Sequence, residues 1–105
     1  NPNLKEIVYC NKNRDLSNGN ITLKVLEPEK CEGRNCVIID DLCDGGGTFL
    51  AIANQIKPAH LTLIVTHGIF SKGLRELSLY LEKIYCTNSY SKIENSLIEQ
   101  YNVWL

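Results

Sequence analysis

Asp40, Asp41 and Asp44 stand close together in the sequence, and Gly45, Gly46, Gly47 and Thr48 follow Asp44 without a break. The two groups favour opposite partners. Carboxylates repel phosphate and accept sugar hydroxyls or hard cations, whereas the backbone N–H groups of a glycine turn running into a helix attract phosphate. A ligand suited to both carries a phosphate together with hydroxyls or a metal ion. The glycines are consecutive, so they do not form the spaced dinucleotide fingerprint, and no lysine follows the last of them as in a Walker A loop.

Several elements must position this stretch. Val37, Ile38 and Ile39 form an apolar run that reads as a parallel strand buried on both faces. Over residues 48–57, Phe49, Ile52, Ala53 and Ile56 recur at helical spacing, and Pro58 closes the helix. Residues 61–65 read as the next buried strand, and Ser71 as the cap of a helix whose Leu74, Leu77 and Leu81 face the core. Residues 84–86 read as a further strand and residues 94–101 as a last helical turn. Upstream, residues 6–10 read as a strand, residues 11–20 as a polar, mobile loop, and residues 21–26 as a half-exposed strand. Alternation of this kind predicts an α/β fold, a mostly parallel sheet flanked by helices with right-handed crossovers. Ligands of such sheets bind at the carboxyl ends of the strands, which is where residues 40–48 fall.

The chain has 105 residues, 44% of them apolar, enough for one domain with one core. Its formal net charge of −1 offers no broad basic field for nucleic acid or an anionic membrane. The longest apolar run is far too short to cross a bilayer. The five cysteines, Cys10, Cys31, Cys36, Cys43 and Cys86, are irregularly spaced and read as reduced core thiols of a cytoplasmic protein. Cys43 alone lies within the candidate loop. The sequence contains no methionine and opens Asn-Pro-Asn, so it reads as part of a longer chain.

The stretch from Val37 to Thr48 resembles the phosphoribosyl-diphosphate signature of the type I phosphoribosyltransferase fold. The resemblance extends further. The segment Thr66-His67-Gly68-Ile69-Phe70-Ser71-Lys72-Gly73 is similar to the T-H-P-x-x-S-G segment of ribose-phosphate pyrophosphokinases. Thr87-Asn88-Ser89 is similar to their short strand ending, Lys12-Asn13-Arg14 to the K-x-R of their catalytic loop, and Glu32-Gly33-Arg34-Asn35-Cys36 to their lead-in. Gly45 stands where that family usually has Thr, and Gly68 where it usually has Pro, which is expected to loosen the second turn.

This resemblance implies transfer of a diphosphoryl group from ATP to ribose 5-phosphate, giving phosphoribosyl diphosphate for nucleotide biosynthesis. It implies that Asp44, Gly45, Gly46, Gly47 and Thr48 hold the 5-phosphate, and that Asp40 and Asp41 take the ribose hydroxyls directly or through Mg²⁺. Lys12 and Arg14 are implied to stabilise charge on the transferred group. The chain would be one phosphoribosyltransferase-like domain, residues 1–105, from the C-terminal part of a two-domain subunit that forms homo-oligomers. Alone, it would lack most of the ATP site and would be inactive. Two other readings stand beside this one: a nucleobase phosphoribosyltransferase, and a non-catalytic homologue that regulates an active synthetase. His67 and Trp104 receive no role.

Overall fold

The structure, a computed structural model, describes residues 6–101. In chain order it comprises strands β1 (Cys10–Arg14), β2 (Ile21–Val25) and β3 (Asn35–Cys43), helix α1 (Gly47–Ala53), then β4 (His60–Gly68), β5 (Lys83–Thr87) and β6 (Ile98–Tyr101). β1 and β2 pair as an antiparallel hairpin, while β3-β4-β5-β6 form one sheet in that order with every neighbouring pair parallel. The expected α/β class with a parallel sheet is therefore found.

The register explains where the core sits. Ile38, Leu63, Ile84 and Ile98 occupy one row across the four strands, and all four join the hydrophobic cluster. Phe49, Ile52, Ala53 and Ile56 close over this face, as their spacing predicts. Full burial of a side chain such as Leu63 or Ile84 stabilises the fold by about 1.5–3 kcal/mol. The next row, Ile39, Ile64, Tyr85 and Glu99, lies on the other face. There Val37 is 54% and Ile39 76% exposed, so the run in β3 is not buried on both sides as its composition suggests. Tyr85 and Tyr101 stack on this open face with ring centroids 6.5 Å apart.

Three elements depart from the sequence expectation. The first strand covers residues 10–14 rather than 6–10, so Lys12 and Arg14 lie in a strand of the hairpin rather than in a loop. Backbone pairing with β2 decides this, because every β1 side chain is exposed and no apolar pattern marks the strand. The hairpin turn is built by the polar residues: Asp15 Oδ1 accepts from the N–H and O–H of Ser17, and Gly19 adopts φ 73°. The helix expected after Ser71 is instead a series of turns with one short 3-10 segment, Leu77–Leu79. Leu77 and Leu81 are still buried and Leu74 packs at the edge of the core, so the stripe is core as expected. The expected helical turn at residues 94–101 ends in β6, whose Ile98 fills the fourth place in the core row. Trp104 lies outside the described residues.

The loop after β4 contains the tightest packing near the candidate site. Gly68 is buried, and a Cβ there would lie 2.4 Å and 2.8 Å from ring carbons of Phe70 and 3.1 Å from Cys86 Sγ. Phe70 holds a left-handed φ of 53°, which costs about 1–2 kcal/mol and is offset by burial of its ring. Glycine therefore tightens this turn; the loosening expected at Gly68 is not what the packing gives. Replacing Gly68 by Ala is expected to destabilise the fold by about 1–3 kcal/mol, because the buried ring must move. Urea unfolding measures this, and a loss below about 0.5 kcal/mol, within the range of ordinary surface changes, would contradict the packing argument.

Candidate functional site

Because the four strands run parallel, β3, β4 and β5 deliver their carboxyl ends to one edge of the sheet. Asp40 and Asp41 occupy the last part of β3, and Asp44 follows it. The ladder pairs Asp40 with Val65 and Leu42 with His67 but skips Asp41, whose N–H is taken instead by Asp40 Oδ1 at 2.8 Å. All three carboxylates are exposed, and none has an ion-pair partner among the described residues.

The glycine turn is fixed by two constraints. Gly46 has φ 85° and is buried, and a Cβ on it would lie 3.3 Å to 3.4 Å from the side chain of Leu77. Only glycine meets both conditions without strain. Its carbonyl then accepts the Leu50 N–H at 3.0 Å and starts α1. The N–H groups of Gly46, Gly47 and Thr48 have no acceptor among the described residues, as the start of a helix requires. Space beside Gly47 is open, and the Thr48 hydroxyl has no hydrogen bond. Seen from the loop after β4, the turn is clamped. Cys43 O accepts from the N–H groups of Ile69 at 2.9 Å and Phe70 at 3.2 Å, and Asp44 O accepts from Ser71 N–H at 2.9 Å. Lys72 then lays its side chain across Gly45, with Cδ and Cε 3.5 Å from the position a Cβ would take.

The ends of β4 and β5 form a second hydrogen-bonded group. Thr87 Oγ1–H donates to Thr66 O at 2.6 Å, Ser89 N–H donates to Thr87 Oγ1 at 3.2 Å, and Ser89 Oγ shares a 2.6 Å hydrogen bond with His67 Nδ1. The β4–β5 register shifts between Ile64 and His67, and the Thr87 hydroxyl supplies a side-chain bond at that irregularity. His67 is thus held by Ser89, and no hydrogen bond joins it to the glycine turn among the described residues.

Lys12 and Arg14 are placed apart from these groups. Both are exposed in β1, paired with Leu23 and Ile21, and no hydrogen bond or ion pair joins them to the acids or the glycine turn among the described residues. The hairpin is tied to the sheet domain through Gln55, which accepts from Val25 N–H and donates to Leu23 O, each at 2.8 Å. Gln55 follows the far end of α1, about 10 Å of helix away from the glycine turn. The structure gathers seven of the expected residues at one edge and leaves these two outside that group.

No family model matches the chain. A ribose-phosphate pyrophosphokinase of Mycoplasmopsis pulmonis is 32% identical over 94 residues, covering 85% of this chain and 29% of the relative. Ribose-phosphate pyrophosphokinase 2 of Saccharomyces cerevisiae is 31% identical over 77 residues, covering 68% of this chain and 24% of the relative. A ribose-phosphate pyrophosphokinase of Maricaulis maris is 37% identical over 70 residues, covering 62% and 23%. The chain belongs to the ribose-phosphate pyrophosphokinase family. It spans about a quarter of the length of these curated relatives. The crystal structure of phosphoribosylpyrophosphate synthetase from Mycobacterium smegmatis superposes with a TM-score of 0.62 at 18% identity, covering 78% of this chain and 30% of that one, which shows that the fold is shared.

Sequence reasoning singled out the acids and glycines and gave no role to Lys72 or to the Ser89–His67 pair. The signal for Lys72 was a charge set between Ser71 and Gly73, ahead of Arg75 and Glu76 in the same loop. Cys43 is a wall of the site rather than a nucleophile: it is 0% exposed, and burial, helped by Asp44, Cys86 and Asp40, pushes its thiol up to about 11. Its folded value lies above the unfolded one, near 8.5–9, so its contribution to stability is complete below that value and is lost as pH rises toward about 11. Between those limits the unfolded thiol ionises first, which is expected to remove about 3 kcal/mol. Urea unfolding from pH 7.5 to 10.5 should show a steeper decline for the natural chain than for Cys43→Ala, in which the other titrating groups are unchanged. Parallel declines would contradict a buried, neutral Cys43.

Proposed function

We propose that this chain carries the ribose-5-phosphate-binding part of a ribose-phosphate diphosphokinase. The observation behind this reading is the junction at the end of β3, where three carboxylates without ion pairs meet a turn whose N–H groups lack acceptors among the described residues. Gly45, Gly46, Gly47 and Thr48 hold the 5-phosphate through backbone N–H groups and the Thr48 hydroxyl, and Asp44 opens this cradle. Asp40 and Asp41 take the 2′- and 3′-hydroxyls directly or through Mg²⁺.

Among the described residues no three His, Cys, Asp or Glu side chains converge into a metal cage. Exposed Asp40 and Asp41 fit Mg²⁺ in another way, since this ion commonly takes one or two carboxylates and fills its remaining positions with water and substrate oxygens. When bound, it supplies charge neutralisation for the phosphates.

The reaction is attack of the anomeric hydroxyl oxygen on the β-phosphorus of ATP, with the bond to the α-phosphate oxygen breaking and AMP leaving. Such a transfer depends on alignment and charge neutralisation more than on covalent participation by the protein. Lys12 and Arg14 would act from the hairpin, which must carry them over the edge of the sheet once ATP is present. The ATP site would draw on parts of a longer, homo-oligomeric subunit of which this chain is the C-terminal part, working in the cytoplasm. No helix among the described residues is long and apolar enough to cross a membrane.

Titrating the chain with ribose 5-phosphate while recording amide shifts tests the reading. Gly46, Gly47 and Thr48 are expected to shift at concentrations that leave residues around His60 and Glu82, at the opposite edge, unmoved. Unmoved signals from the glycine turn at saturating sugar phosphate would refute the site.

A further inference from the structure

The side chain of Lys72 is held over the glycine turn, at a position in the segment 66–73 to which the resemblance assigns no role. Its Cδ and Cε are each 3.5 Å, and its Cγ 3.9 Å, from the Cβ position of Gly45. The stem therefore runs across Gly45, and Nζ, one bond beyond Cε, lies within about 5 Å of that position. The backbone turn that presents Lys72 is pinned on both sides. Ser71 N–H donates to Asp44 O at 2.9 Å, Gly73 N–H donates to Phe70 O at 2.8 Å, and Phe70 and Gly73 both hold left-handed φ values. The ammonium has no ion pair or hydrogen bond among the described residues, even though the Ser71 N–H to Asp44 O bond joins its loop to the end of the acid cluster.

We infer that Lys72 is a phosphate-binding residue of this site, closing over a sugar phosphate held at the glycine turn. This rests on the reading of the glycine turn as the phosphate cradle and adds to it a cation supplied by a different loop. The geometry follows from the absence of a side chain at Gly45. Gly45 has an ordinary backbone φ, so its use is spatial: it leaves room for the Lys72 stem to lie flat. The stem is a flexible chain of methylenes with a strongly hydrated head, suited to following a phosphate as it enters and leaves.

A second role for the same ammonium, offsetting the charge of the acid cluster, predicts different behaviour. A phosphate monoester gains its second negative charge near pH 6, a change that belongs to the ligand and not to the protein. A lysine that contacts phosphate therefore contributes more at pH 7.5 than at pH 5.5, and one that only balances the acids does not.

The experiment measures dissociation constants of ribose 5-phosphate and inorganic phosphate for the natural chain, Lys72→Met, Lys72→Arg and Gly45→Thr, followed by the amide signals of Gly46, Gly47 and Thr48. Lys72→Met keeps the stem and removes the charge at an exposed position. It is expected to weaken both ligands by on the order of tenfold at pH 7.5 and by less at pH 5.5, while Lys72→Arg stays within about threefold. In Gly45→Thr the branched side chain takes the space of the stem, so removing the charge at Lys72 in that background should have a smaller effect than in the natural chain. Equal affinities for Lys72→Met and the natural chain, or a loss independent of pH, would overturn the role of Lys72. If the natural chain itself shows no shifts at the glycine turn, the cradle reading fails first, and the two failures are thereby distinguished.

Discussion

One carbonyl oxygen, that of Cys43, accepts two amide donors, Ile69 and Phe70, and thereby locks the end of β3 to the loop that follows β4. Much of the site depends on this shared acceptor. It sets the height at which Asp44 leaves the sheet, and the next bond, from Ser71 N–H to Asp44 O, fixes the start of the glycine turn. With the backbone so held, Phe70 turns its ring inward against Gly68, Leu77 closes on Gly46, and Cys43 is sealed from water. Each of these contacts needs the others in place. Two strand-to-loop junctions, distant in sequence, therefore behave as one packed unit at the carboxyl edge.

Much of this was legible in the sequence wherever one residue type had only one sensible use. The four apolar residues 49, 52, 53 and 56 mark a helical face that the structure buries, and the change from acids to glycines marks the strand-to-helix junction. Legibility failed where a pattern had two uses. Leu74, Leu77 and Leu81 have helical spacing, yet tight turns at Phe70 and Gly73 prevent a helix and the leucines reach the core from loop and 3-10 backbone. Ile98 fits a helical face equally well, and it is the parallel pairing with β5 that decides for a strand. β1 is harder still, since Cys10, Asn11, Lys12, Asn13 and Arg14 carry no periodic signal and only pairing with β2 makes them a strand.

The site shows the same division. The acids and glycines are neighbours in sequence, so composition alone exposes them. Lys72 reaches Gly45 across a whole helix and strand, and its approach depends on two left-handed residues that no spacing rule anticipates. Lys12 and Arg14 illustrate the converse: their resemblance to a catalytic motif is clear in sequence, while in the hairpin no hydrogen bond or ion pair joins them to the acids among the described residues.

The strand order β3-β4-β5-β6 follows the order of the chain, so each new strand is laid beside the one before it. Parallel sheets ordinarily fold slowly because distant strands must find one another before any pairing rewards the search. Here every pairing closes only the crossover just completed, through residues 44–59, 69–82 and 88–97 in turn, and the entropy of closing such loops rises only with the logarithm of their length. The first of these closures pairs β3 with β4 and encloses the whole acid and glycine stretch. The connectivity thus permits growth in chain order, in which the candidate edge would come first and β6 would join a sheet already formed.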